Sequence, residues 1–173
     1  IADYLDNGEV DLVFTYDRHV PQGQSFEPLF AAPPYALISR SDEASQRPSI
    51  TFEQLSKKPM IMLDLPYTRD YFFGLFRARG LEPDVAHSTR SSEIAKALVE
   101  GDFGFTLLNI RPRNYSPKDS RYSVVPISDS SDVPVFGIST TGNLRQPKNV
   151  RSFIKICTKL RDDGIFDSCT VTA

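Results

Sequence analysis

Two rhythms of apolar residues alternate along the chain: short dense runs, and spacings of three to four. Ile1 and Leu5 stand i, i+4 and Asn7-Gly8 closes the turn, so the chain opens on the end of a helix. Positions 10–16 carry Leu12-Val13-Phe14, a short β-rich run that reads as a buried strand. After a polar loop with Pro21 and Gly23, strands are predicted at 26–30 and 35–39. Pro33-Pro34 separates them and breaks any continuous ladder. Positions 41–49 are polar and aperiodic, and 51–55 reads as one helical turn capped by Thr51 or Ser49.

From position 60 a strand–helix rhythm sets in. Positions 60–63 are a second buried strand, after which Phe72, Leu75, Phe76 and Arg79 keep the helical period until Gly80 and Pro83. Positions 85–88 repeat the strand. Ser91 or Ser92 then caps a helix bearing Ile94, Ala95, Leu98 and Val99, and Gly101 ends it. An apolar strand over 103–110 contains Gly104 and stops at Pro112, and 113–121 is a loop or weak helix. Strands at 123–127 and 133–139 flank an acidic, serine-rich turn. The last helix sets Val150, Phe153, Ile154, Cys157 and Leu160 on one face and stops at Gly164, with a tail expected to fray after Phe166.

Alternating strands and helices predict an α/β fold with parallel pairs. The block from about 60 to 127 is long enough to form a lobe alone. The flanking segments would then meet in a second lobe, leaving a cleft where small ligands commonly bind. Charge changes this picture little: 20 Lys+Arg against 22 Asp+Glu give a net −2, which argues against gripping nucleic acid or an anionic membrane through bulk charge. The 40% hydrophobic and 24% charged content is that of a globular chain. No run approaches the roughly 20 apolar residues of a membrane span, and the first residues show no signal-peptide pattern. Two cysteines make no disulfide framework, so both are read as structural thiols and a reducing cytoplasm is expected.

No catalytic constellation emerges. His19 and His87 lack partners at metal-ligand spacing, and no nucleophile motif, P-loop or dinucleotide fingerprint is present. The expectation is therefore a non-enzyme without metal or cofactor. The informative feature is a pair of strand–loop–helix junctions: Leu63-Asp64-Leu65-Pro66-Tyr67-Thr68-Arg69 and Ser88-Thr89-Arg90-Ser91-Ser92. Each ends a predicted parallel strand and begins a helix, whose first turn has unpaired N–H groups and partial positive charge. Two such starts at one carboxyl sheet edge would converge on a crevice suited to a small anion. Ordinary capping, with Thr68 and Ser91 serving only their own helices, explains the same hydroxyls. Arg69 and Arg90 would either clamp a carboxylate or pair with Asp64 and Asp70. Tyr16 closes its strand and would face the crevice from the other lobe. Phe72 and Phe76 read as core, and an exposed Tyr71 or Phe73 would mark a subunit interface.

The order of these motifs resembles the effector-binding domain of LysR-type transcriptional regulators. The resemblance is carried by Leu5 … Gly8-Glu9-Val10-Asp11-Leu12, by Phe26-Glu27-Pro28-Leu29-Phe30 with Tyr35-Ala36-Leu37-Ile38, and by Thr51-Phe52-Glu53-Gln54-Leu55 … Pro59-Met60-Ile61. Gly80-Leu81-Glu82-Pro83, Ser91-Ser92-Glu93 and Leu98-Val99-Glu100-Gly101-Asp102-Phe103-Gly104 continue it. Two departures stand out: the turn usual at Ser41-Asp42-Glu43 is absent, and Asn109 replaces a proline. The resemblance implies a two-subdomain, type 2 periplasmic-binding-protein fold with parallel-rich sheets and a ligand cleft between the lobes. Subdomain 1 would comprise 1–57 plus 136–173, and subdomain 2 would comprise 58–135. It further implies a small, anionic organic inducer, with Tyr16, Pro66, Tyr67, Thr68, Arg69, Ser91, Ser92 and Thr106 facing it. A homodimer or tetramer is expected, paired in part through the helix over 71–79 and the strand at Val85. DNA would be contacted only through a helix-turn-helix outside this chain, with no membrane contact. The resemblance also implies that the start of subdomain 1 has no counterpart here, so one sheet edge is expected to be open to pairing. A transporter's solute-binding protein and a small enzyme on the same fold are the competing readings.

Overall fold

A computed structural model describes residues 2–112, 115–142 and 146–171. The chain forms two compact units, Ile1–Ala32 with Val133–Thr170, and Pro33–Asp132 with Val171–Ala173.

The first unit is built on a three-stranded antiparallel sheet. Its central strand β8 (Val135–Thr141) pairs with β1 (Leu12–Tyr16) on one side and β2 (Gln24–Ala31) on the other. The register sets Phe14 opposite Ile138 and Tyr16 opposite Phe136, so these apolar side chains share a face. Phe14, Tyr16 and Phe30 all contact the Phe136 ring, and Phe30 meets Phe166. The long helix α5 (Lys148–Asp162) packs on this face through Ile154 and buried Cys157. Arg161 ties it to β2 by donating to Glu27 and to the Pro28 carbonyl, both at 2.8 Å. The short α1 (Ala2–Asp6) buries Leu5.

Not all of the predicted α5 face is covered. Val150 and Cys157 are buried, but Phe153 and Leu160 remain exposed. Phe14, 45% exposed, meets Phe153 edge-on. Among the described residues nothing pairs with the other edge of β1. The tail does not fray at Phe166: a 3-10 turn covers Asp167–Cys169, and Val171 packs against the core of the second unit.

The second unit holds β3 (Tyr35–Ser39), α2 (Phe52–Leu55), β4 (Pro59–Leu63), α3 (Thr68–Arg77), β5 (Asp84–Thr89), α4 (Ser92–Glu100), β6 (Thr106–Leu108) and β7 (Tyr122–Pro126). β3 lies between β6 and β7, antiparallel to both, and β4 pairs in parallel with β5. A parallel bridge from Met60 to Phe105 joins the two groups in the order β7-β3-β6-β4-β5. That junction is tight. Phe105 N–H donates to the Pro59 carbonyl, and Gly104 (φ +140°) lies so close that a Cβ would sit 2.3 Å from the Pro59 oxygen. One face of the sheet carries the larger core, with Phe52, Phe72, Phe76 and Phe105. The other packs Tyr35, Leu37 and Ile61 against Ala95 and Val99 of α4.

Two expectations are corrected. The resemblance places positions 33–57 in the first lobe, but they fall in the second unit, where β3 is buried along its whole length between β6 and β7. The prolines that end β2's ladder release the chain into the second unit at that point. The sheets are also less parallel than expected, because β3 and β8 each run against both neighbours. Locally the reading holds: Thr51 and Gln54 form a complete capping box, and Ser91 caps α4. Tyr71 and Phe73 are partly buried against the core, Phe73 beneath the Arg69 and Arg77 guanidinium groups. The loop predicted at 113–121 includes positions 113 and 114, which lie outside the described residues.

Candidate functional site

The two strand–helix junctions lie side by side. β4 and β5 run in parallel and end together, with Leu63 opposite Thr89, and the Asp64 amide donates to the Thr89 carbonyl at 2.8 Å. α3 and α4 therefore both begin at the same carboxyl edge of one sheet.

The first junction is a tight turn. Thr68 N–H donates to the Leu65 carbonyl at 3.1 Å, with Pro66 and Tyr67 between them. Pro66 fits the first central position of such a turn, whereas Tyr67 takes the left-handed region at φ 66°, ψ −19°. A bulky residue there stores about 1–3 kcal/mol and is uncommon outside functional segments. Tyr67 is also 63% exposed, beside exposed Leu65. The turn leaves α3 without a side-chain cap. Its Arg69 and Asp70 amides have no acceptor among the described residues, so they are the spare donors of the first helical turn.

The second junction is closed differently. Ser91 Oγ accepts from the Ile94 amide at 3.4 Å, and Thr89 Oγ1 accepts from the Ser91 amide at 3.2 Å. Thr89 was not singled out from the sequence, although a threonine two residues before the cap is the signal for this turn. Ser92 is exposed and starts the helix.

Arg69 has partners already: Asp64 at 4.0 Å and the Phe73 ring at 4.9 Å from its centroid. Arg90 is exposed and makes no ion pair among the described residues. Thr106 lies on β6, fully buried, and its Oγ1 has no hydrogen-bond partner among the described residues. Tyr16 belongs to the other compact unit. There it contacts the His19 and Phe136 rings, and burial pushes its hydroxyl up to about 12, so it stays protonated at neutral pH. Burial lowers the neighbouring His19, with Arg18 adding to the effect against the opposing pull of Asp17.

Among the described residues no group of three or more His, Cys, Asp or Glu is arranged to hold a metal. Cys157 and Cys169 are free thiols, and burial pushes that of Cys157 up. Among the described residues no helix is long and apolar enough to cross a membrane.

Solved structures share this architecture. HinK, a LysR family transcriptional regulator from Pseudomonas aeruginosa, is 27% identical with a TM-score of 0.80 over 91% of this chain. The chain spans only 55% of that protein. The C-terminal domain of a LysR family regulator from Rhodococcus sp. RHA1 is 24% identical, with a TM-score of 0.82 over 91% of this chain and 78% of its own. The BenM effector binding domain with its effector benzoate is 16% identical, with a TM-score of 0.78 over 95% of this chain and 75% of its own. At these identities the last two show the common fold. No curated protein sequence matches the chain. The model of the LysR substrate binding domain matches residues 1–161, and the chain belongs to that family.

Proposed function

We propose that this chain is the effector-sensing part of a LysR-type transcriptional regulator, taking a small organic anion at the common edge of β4 and β5. The observation that carries the reading is the left-handed Tyr67 turn, which leaves the Arg69 and Asp70 amides without acceptors beside the start of a second helix. A carboxylate accepts hydrogen bonds there from main-chain donors in a field that favours negative charge. Thr68, Ser91 and Ser92 add hydroxyls that donate or accept as the ligand requires. Exposed Tyr67 and Pro66 offer an apolar wall for a ring or short chain. Arg69 exchanges its 4.0 Å contact with Asp64 for a bidentate pair with the ligand. Within the same unit Thr106, buried on β6 with an unpartnered hydroxyl, completes the proposed set.

In this reading the domain works in the cytoplasm as a homodimer or tetramer and controls a helix-turn-helix outside the chain. The effector shifts its conformational equilibrium only by the difference in affinity between two states. Calorimetric titration with sodium benzoate and related carboxylates tests the site. Thr68→Ala combined with Ser91→Ala is expected to weaken binding about tenfold, the loss of roughly 1.4 kcal/mol of hydrogen bonding. A dissociation constant equal to that of the unaltered chain overturns the assignment.

A further inference from the structure

α3 is held by the chain at both ends, and the segment that holds it is the one leading out of its unit. Just past its C-terminus, the Arg79 guanidinium lies over the Phe52 ring at 4.5 Å and donates to the Leu75 carbonyl. It also donates to the Asp129 carboxylate at 3.2 Å and to the Asp129 carbonyl. The same carboxylate accepts from the Phe52 amide at the start of α2, at 3.2 and 3.4 Å. One turn into α3, Tyr71 donates its hydroxyl proton to the Asp132 carbonyl at 3.3 Å and accepts from the Asn109 side-chain amide at 3.4 Å. Positions 129–132 thus form a strap along α3, pinned at 129 by Arg79 and at 132 by Tyr71.

The strap has little slack. Three residue steps reach at most about 11 Å when extended, and the six helical steps from Tyr71 to Arg77 already rise about 9 Å. An axial shift of α3 is therefore passed on to Asp132 instead of being absorbed. Asp132 is the last residue of its unit before the chain returns to the first. Two residues later the Pro134 carbonyl accepts from the Ala32 amide at 2.8 Å, where the outgoing chain leaves the first unit. The Val135 amide then donates to the Asp17 carboxylate at 3.1 Å.

We propose that this strap makes Tyr71 the positioning residue that carries effector occupancy at the start of α3 to the paired chain crossings at 32–33 and 132–133. The idea rests on the effector reading above but goes beyond it, because it assigns the route and not the pocket.

Hydrogen exchange on the whole 173-residue chain tests it, with sodium benzoate as the probe. Without benzoate, Tyr71→Phe is expected to speed exchange over 130–136 about fivefold while leaving α4 and β5 unchanged. With benzoate, the unaltered chain should gain protection at both 66–70 and 130–136, and Tyr71→Phe at 66–70 alone. Arg79→Lys, which keeps the charge but loses the fork, should show a weaker form of the same uncoupling. Exchange over 130–136 that is identical in the two chains without benzoate, or equally protected by it, overturns the strap. Benzoate that leaves 66–70 unprotected counts instead against the effector reading, and the probe-free comparison still decides the strap.

Discussion

α3 and α4 start from the same sheet edge, after neighbouring parallel strands, yet their first turns are made in opposite ways. α4 is self-sufficient: Ser91 caps it and Thr89 braces the cap. α3 enters through a strained left-handed tyrosine and leaves two amides unspent. The depth at which they are held is reversed. α3 buries Phe72, Leu75 and Phe76, whereas α4 buries only Ala95 and Val99. The helix with the open beginning is thus the one anchored hardest along its body, which is how a fold keeps an unsatisfied terminus in position.

Core substitutions should separate the two helices most. Phe76→Ala removes a fully buried ring packed edge-on against Phe52 and is expected to cost about 3–5 kcal/mol in urea unfolding. Val99→Ala should cost roughly 2 kcal/mol, the loss of two buried methyl groups. Equal losses would break the comparison. At the first turns the order should invert. Ser91→Ala removes a working cap and is expected to cost about 1 kcal/mol. Thr68→Ala removes no cap bond and should stay within about 0.5 kcal/mol in the same assay.

A further small effect is an acid titration away from both helices. Burial raises the Asp42 carboxyl, but the Lys58 hydrogen bond, the Ala44 amide and the Lys58 and Arg47 charges outweigh it and hold the group below its ordinary value. Its folded value being depressed, the stabilisation is complete above the unfolded carboxylate range and is lost as pH falls below about 4. Asp42→Asn should therefore lie at most about 1 kcal/mol below the unaltered chain at neutral pH, and the two curves should converge toward pH 2. A gap that persists at pH 2 would point to packing instead of charge.

Local chemistry was legible in the sequence, and depth was not. Thr51 and Ser91 announce their helices because a cap needs only a hydroxyl and a nearby amide, both fixed by spacing. The two junctions could be paired because parallel strands followed by helices must end on one edge. Tyr67 could be read as a turn residue beside Pro66, but the sign of its φ depends on how the turn closes onto α3. Thr106 shows the other limit. Its burial follows from β6 lying between β3 and β4, and β3 joins that sheet only because Pro33-Pro34 ends the β2 ladder. Those pairings are non-local, and no periodicity within either strand records them.

Among the described residues β1 is paired on one side only, which has a practical corollary. Leu12-Val13-Phe14-Thr15-Tyr16 contains no charge, proline or glycine to deter a second strand from zipping onto it. Such zipping is bimolecular, so its rate grows with the square of protein concentration. Dilute stocks will stay clear where concentrated ones turn cloudy, and the onset will follow the milligrams per millilitre more closely than the melting point.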